Sequence, residues 1–222
     1  MDGTGRLIEP LAARMQGEFD TTIVEYPRAE SSYEKLVQLA VERLPRDRDF
    51  VIVGESFAGP IALRLAAQRP AGLRGVVLSA SFARYPVAML RALAPLVRVL
   101  PARAAPMTML TKFVLARWDE PTCRRWLLDN IEGVPADVLR ARVAAALAVD
   151  ATPALGAIDV PLLYLRASQD RVIGRHPADE IVASVRDATI VEVDGPHFLL
   201  QVATDACAAA IDAFARQLVG AT

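Results

Sequence analysis

The sequence predicts an α/β fold built on a mostly parallel sheet. Short apolar, β-branched runs alternate with longer helix-periodic segments, the pattern of successive βα units. The runs are apolar nearly throughout, as strands covered by helices on both faces must be. The chain has 222 residues, 53% of them hydrophobic, enough for one substantial core. Strands are expected at Thr21 to Tyr26, Phe50 to Gly54, Leu73 to Ala80, Leu162 to Ala167 and Thr189 to Asp194. Helices are expected at about Gly5 to Gln16, Ser32 to Arg43, Phe57 to Ala67, His176 to Val185 and Gln201 to Leu218.

Residues 83–150 break this rhythm. The interval is too long for an ordinary crossover and reads as several helices divided by Pro95, Pro101, Pro106, Pro121 and Pro135. It divides the chain into a core of residues 1–82 and 151–222 and a helical insertion of residues 83–150.

Charge and cysteine content exclude several classes. A formal charge of −1 and a pI near 6.2 give no general attraction to nucleic acid. Cys123 and Cys207 stand far apart with no Cys/His cluster, which argues against a structural zinc and for a reducing compartment. No run of about 18 apolar residues suits a membrane span, and the first 25 residues lack a signal-peptide core. A cytoplasmic protein is expected, with room left for a homo-oligomer.

The chemistry is carried by Val51-Ile52-Val53-Gly54-Glu55-Ser56-Phe57-Ala58-Gly59-Pro60, an apolar strand running into a small-residue turn and then a helix. This is a G-x-S-x-G pattern with Ala58 in the last place. Such a turn strains the serine backbone and points its hydroxyl outward, while small residues let strand and helix approach. The helix start also offers free N–H groups for a developing oxyanion, that of Phe57 first.

A serine needs a base, and the chain has two histidines. His197 follows the last predicted strand, where active sites form in open α/β sheets. His176 reads as an exposed residue at a helix start. Asp170, a few residues past the preceding strand, is placed to orient the imidazole. The order Ser56, Asp170, His197 is that of an α/β-hydrolase. Each residue alone also has a structural reading, as turn, cap or packed loop; the three together in this order favour catalysis.

These motifs resemble those of the α/β-hydrolase fold superfamily over almost the whole chain. Met1-Asp2-Gly3-Thr4-Gly5-Arg6-Leu7 resembles the segment that follows "LLPG" in a branch of bacterial hydrolases. DGTG with GESF is similar to the plastid esterase and acyltransferase group that includes phytyl ester synthases. Gly195-Pro196-His197-Phe198-Leu199-Leu200-Gln201 resembles the superfamily's histidine loop. The resemblance implies Ser56 as nucleophile, His197 as base and Asp170 as orienting acid. It places the second oxyanion donor at the backbone nitrogen of Met1 and makes the insertion a cap over the nucleophile. It also implies an apolar strand, missing here, between the strands at Thr21 to Tyr26 and Phe50 to Gly54. Without it, those two strands are expected to pair directly or to have the edge filled by another chain.

Residues 83–118 carry six Arg or Lys and no acid, with Arg84, Arg91 and Arg98 seven apart, so that in a continuous helix they would share a face. Three readings are open: a solvated basic face, a site attracting an anionic substrate, or a helix resting on an anionic membrane surface. Met89, Met107 and Phe113 are candidates for an apolar substrate wall. The expectation is a serine carboxylesterase acting on a small-molecule ester through an acyl-enzyme, with no cofactor or metal. The alternatives are an acyltransferase using the same acyl-enzyme with an alcohol acceptor, and a non-catalytic binding protein on the same fold.

Overall fold

The computed structural model describes residues 3–27, 29–97 and 107–220. After a short 3-10 helix at Arg6–Ile8 come α1 (Glu9–Met15), α2 (Tyr33–Glu42), β1 (Phe50–Glu55), α3 (Gly59–Ala66) and β2 (Leu73–Ser79). The insertion carries α4 (Ala88–Ala92), α5 (Ala94–Val97), α6 (Met107–Leu115), α7 (Pro121–Glu132) and α8 (Ala136–Ala148). The chain returns through α9 (Thr152–Leu155), β3 (Leu162–Gln169), α10 (His176–Ser184), β4 (Ala188–Pro196), α11 (Leu199–Val202) and α12 (Thr204–Gly220). Strands thus alternate with helices, and the helices α4 to α8 fall between β2 and β3.

The strands form one parallel sheet in the order β1-β2-β3-β4. Successive side chains of a strand point to opposite faces, and the two central strands are apolar on both. Val76, Leu78, Leu162 and Tyr164 pack with Leu63, Ala66 and Ile181 on one face. Val77, Leu163 and Leu165 pack with Leu11, Ile211 and Phe214 on the other. Helices α3 and α10 thus cover one side, and α1 and α12 the other. Prolines mark the helix starts that the sequence predicts: Pro121 opens α7 and Pro135 caps α8, where a missing N–H costs nothing. Pro101 and Pro106 lie outside the described residues.

The expected strand at Thr21 to Tyr26 is corrected. Residues 21–26 form neither helix nor strand; among the described residues they join no ladder, and they do not pair with β1. Their anchors are local: Tyr26 N–H donates to the Gly3 carbonyl at 2.8 Å, and Val24 and Tyr26 pack against the cluster that holds Tyr33 and Phe57. Buried Arg142 from α8 fixes the next turn, donating to the carbonyls of Pro27 and Glu30 at 2.9 Å each. A short run rich in apolar and β-branched residues can be held by side-chain packing, as Val24 and Tyr26 are here, as well as by a ladder. β1 is therefore the edge strand among the described residues, with Val53 40% exposed.

The shared basic face is also corrected. Arg84 lies outside any helix, its backbone bridging antiparallel to Asp150, and α4 begins only at Ala88. Arg98 lies outside the described residues. Arg84 pairs with Glu180 of α10 at 2.9 Å. Arg117 pairs with Asp194 of β4 at 2.6 Å and lies over the Trp118 ring. Two cations of the acid-free stretch thus tie the insertion to the core.

Candidate active site

Ser56 follows β1 directly and adopts φ +48°, a left-handed conformation that costs a non-glycine residue on the order of 1–3 kcal/mol. Neighbouring groups hold it there. The Ser81 hydroxyl donates to the Ser56 carbonyl at 2.8 Å, and the Tyr33 hydroxyl donates to the Phe57 carbonyl at 3.1 Å. Ser81 is itself fixed by Tyr164, whose hydroxyl accepts from the Ser81 N–H and donates to the Ser81 carbonyl. A Cβ on Gly54 would lie 2.9 Å from that of Ala62, and one on Gly59 would lie 1.6 Å from the Ser81 hydroxyl oxygen. Ala58 fits, so the second indispensable small residue of this elbow is Gly59.

The loops after β3 and β4 bring Asp170 and His197 to the serine. The Ser56 hydroxyl lies 2.8 Å from His197 Nε2, and His197 Nδ1 lies 2.9 Å from Asp170 Oδ2. The other Asp170 oxygen accepts the backbone N–H groups of Val172 and Ile173 at 2.9 and 3.0 Å. Those bonds aim the carboxylate, whose side chain is only 2% exposed. With Nδ1–H donated to Asp170, the Nε2 lone pair faces the serine hydroxyl, and the imidazole can accept its proton. His176, by contrast, is exposed at the first turn of α10, and its side chain makes no hydrogen bond among the described residues.

Phe57 N–H lies in the 3-10 turn Ser56–Ala58 at the head of α3. Met1 lies outside the described residues. The adjoining loop is anchored: Gly3, at φ +81°, leaves no room for a Cβ against the Arg142 guanidinium, which would lie 2.7 Å away. Of the expected substrate contacts, two are on the surface of the insertion. Met89 is 70% exposed and Phe113 46% exposed; Met107 opens α6, and its side chain is not described. The insertion instead meets the histidine loop through Val114, Leu115 and Leu127, packed on Phe198, with Trp126 edge-on to that ring. Among the described residues no cluster of His, Cys, Asp or Glu could hold a metal, and no helix is long and apolar enough to cross a membrane.

A family model described as "Alpha/beta hydrolase family" matches residues 7–210. The chain belongs to this family. Solved structures with the same fold include an enol-lactonase from Burkholderia xenovorans, at 21% identity and TM-score 0.77, covering 97% of this chain and 88% of that one. A thermophilic esterase from Thermogutta terrifontis is similar at 16% identity and TM-score 0.82, with 97% and 86% covered. A bromoperoxidase from Bacillus anthracis is similar at 15% identity and TM-score 0.73, with 98% and 88% covered. At such identities the likeness shows the fold alone. No curated protein matches the chain.

Several residues of this α/β-hydrolase site escape sequence reasoning. Ser81 and Tyr164 brace the elbow across sequence separations of 25 and 83 residues, which no local pattern encodes. Glu55 and Gln201 lie within the motifs quoted above, yet spacing assigns them no task. The Glu55 carboxylate accepts the Leu200 N–H at 3.1 Å and the Gln201 side-chain amide at 2.7 Å. The same Gln201 nitrogen donates to the Leu7 carbonyl at 3.1 Å.

Proposed function

We propose that this α/β hydrolase is a serine carboxylesterase acting through an acyl-enzyme on Ser56. The observation that carries the reading is the continuous relay of hydrogen bonds from Ser56 through His197 to Asp170. Ser56 Oγ attacks the ester carbonyl as its proton passes to His197 Nε2, and Asp170 stabilises the resulting imidazolium. Phe57 N–H donates to the oxyanion. His197 then gives the proton to the departing alkoxide as the C–O bond breaks, leaving the acyl group on Ser56. Water attacks by the same route in reverse roles and releases the acid. A positioned base contributes about 10²–10⁴-fold and an oxyanion donor about 10²–10³-fold.

Residues 83–150 serve in this reading as the cap. Their packing on Phe198, next to the base, is where the acyl group's apolar part would be met. Two free cysteines, Cys123 and Cys207, suit a reducing, cytoplasmic setting. A chain-length series of p-nitrophenyl esters, run with and without an added alcohol, tests the reading. The account expects saturable hydrolysis that Ser56→Ala removes. Transfer to the alcohol outrunning hydrolysis would make the protein an acyltransferase, and no turnover of any ester would overturn the esterase reading.

A further inference from the structure

Glu55 is an acid placed immediately before Ser56, and the proposed mechanism gives it no role. Its carboxylate lies behind the reacting groups, where it holds the start of α11, two residues after His197. Both oxygens meet N–H donors, from the Leu200 backbone and the Gln201 side chain. The ionised form, which only accepts, matches that pair of donors; a protonated oxygen would turn a hydrogen toward one of them. Gln201 carries the tie on to the Leu7 carbonyl, so one carboxylate joins the nucleophile strand, the histidine helix and the N-terminal segment. The Oε1 of Gln201 is buried without a hydrogen-bond partner among the described residues, while its nitrogen makes both bonds.

We infer that Glu55 is a positioning residue for His197: its carboxylate fixes the helix that follows the imidazole and supplies a second negative charge favouring the imidazolium. The inference rests on the reading of Ser56 and His197 given above. Two acidic groups act on the base, Asp170 from the loop after β3 and Glu55 from the end of β1. The Glu55 charge in turn interacts with His197 and with the Cys207 thiol of α12. Burial pushes the Glu55 carboxyl above the usual range, and the bonds from Gln201 and Leu200 and the charge of His197 pull it back. An acid whose folded pKa is raised loses folded-state stability as pH climbs from the unfolded value. Ionising Glu55 in the fold thus works against stability, as expected of a group kept for function.

The test measures the rate of Ser56 phosphonylation by a fluorophosphonate against pH, for the full chain with Glu, Gln or Asp at position 55, with thermal melts alongside. The acid limb of that profile reads protonation of the base. Glu55→Gln removes the charge at nearly constant shape: its midpoint should move down by about half a pH unit or more, and its plateau rate should fall about tenfold. Glu55→Asp keeps the charge but is one methylene too short to reach both donors, so its plateau should fall while its midpoint stays. Unchanged midpoint and plateau in Glu55→Gln would overturn the inference. If that variant does not fold, an unchanged plateau in Glu55→Asp would overturn it as well. Failure of the unaltered chain to label at Ser56 would instead overturn the nucleophile assignment, so the two failures are distinguishable.

Discussion

Gly59→Ala probes how the turn at Ser56 is held. An added Cβ would lie 1.6 Å from the Ser81 hydroxyl oxygen and 2.7 Å from the Ser81 Cβ. Rotating the hydroxyl away relieves only the first contact and breaks its 2.8 Å bond to the Ser56 carbonyl. The backbone at the head of α3 must therefore move. Overpacking costs about 1–3 kcal/mol, and the lost hydrogen bond costs about 1 kcal/mol. Alanine's better helix propensity returns about 1 kcal/mol. The net loss of about 1–3 kcal/mol should lower Tm by about 2–12 °C in a chain of this size. Because Ser56 lies three residues away, kcat should fall about 10²-fold, the cost of a misplacement near 1 Å. Adding Ser81→Gly removes both offending atoms, and the nearest remaining neighbour, the Phe82 carbonyl oxygen at 3.6 Å, is an ordinary contact. Tm should then recover in part. Melting curves and ester kinetics on the two variants check this. Wild-type Tm and kcat in Gly59→Ala would refute the argument.

Three further outcomes are expected. Burial, with a contribution from the Glu55 charge, pushes the Cys207 thiol up to about 12. A thiol reagent at pH 8 should therefore modify part-exposed Cys123 and spare Cys207 until the protein is unfolded; equal rates in native buffer would contradict this. Arg84→Gln and Arg117→Gln break ties between insertion and core, so each should lower Tm by at most a few degrees and slow anionic and neutral esters alike. Selective loss of activity on anionic esters at constant Tm would instead make these arginines substrate-recruiting groups. Asp150 is held below the usual carboxylate range chiefly by the Thr152 hydroxyl at 2.6 Å, with the Thr152 N–H also bonded to it. A depressed acid stabilises the fold above its unfolded pKa and loses that contribution as pH falls through the folded value. Thr152→Ala should flatten Tm against pH at the acid end, and superimposable curves would refute the assignment.

What the sequence made legible follows from how local each signal is. β2 and β3 read as strands because burial on both faces demands unbroken apolar runs such as Gly75 to Leu78 and Leu162 to Leu165. Ser56, Asp170 and His197 could be nominated because each follows its own strand, and parallel strands open their ends on one edge. Residues 21–26 show the converse: apolar and β-branched residues mark a segment that packs on the core, but whether a ladder forms depends on a neighbour the segment does not specify. The seven-residue arginine spacing failed for a related reason, since the bridge between Arg84 and Asp150 keeps position 84 out of the helix. The supports of the site were illegible because they are pairings across the fold. Glu55 meets Gln201 at a separation of 146 residues, and Arg142 meets Pro27 at 115.

The central claim, that Ser56 is a nucleophile activated by His197, is tested most directly by the intact mass of the protein after exposure to a fluorophosphonate. The account predicts a single adduct on Ser56, absent in Ser56→Ala and slowed at least about 10³-fold in His197→Ala. Asp170→Asn should retain more reactivity than either, and His176→Ala should label at the wild-type rate. An adduct that persists in Ser56→Ala, or a His176→Ala variant as unreactive as His197→Ala, would contradict it.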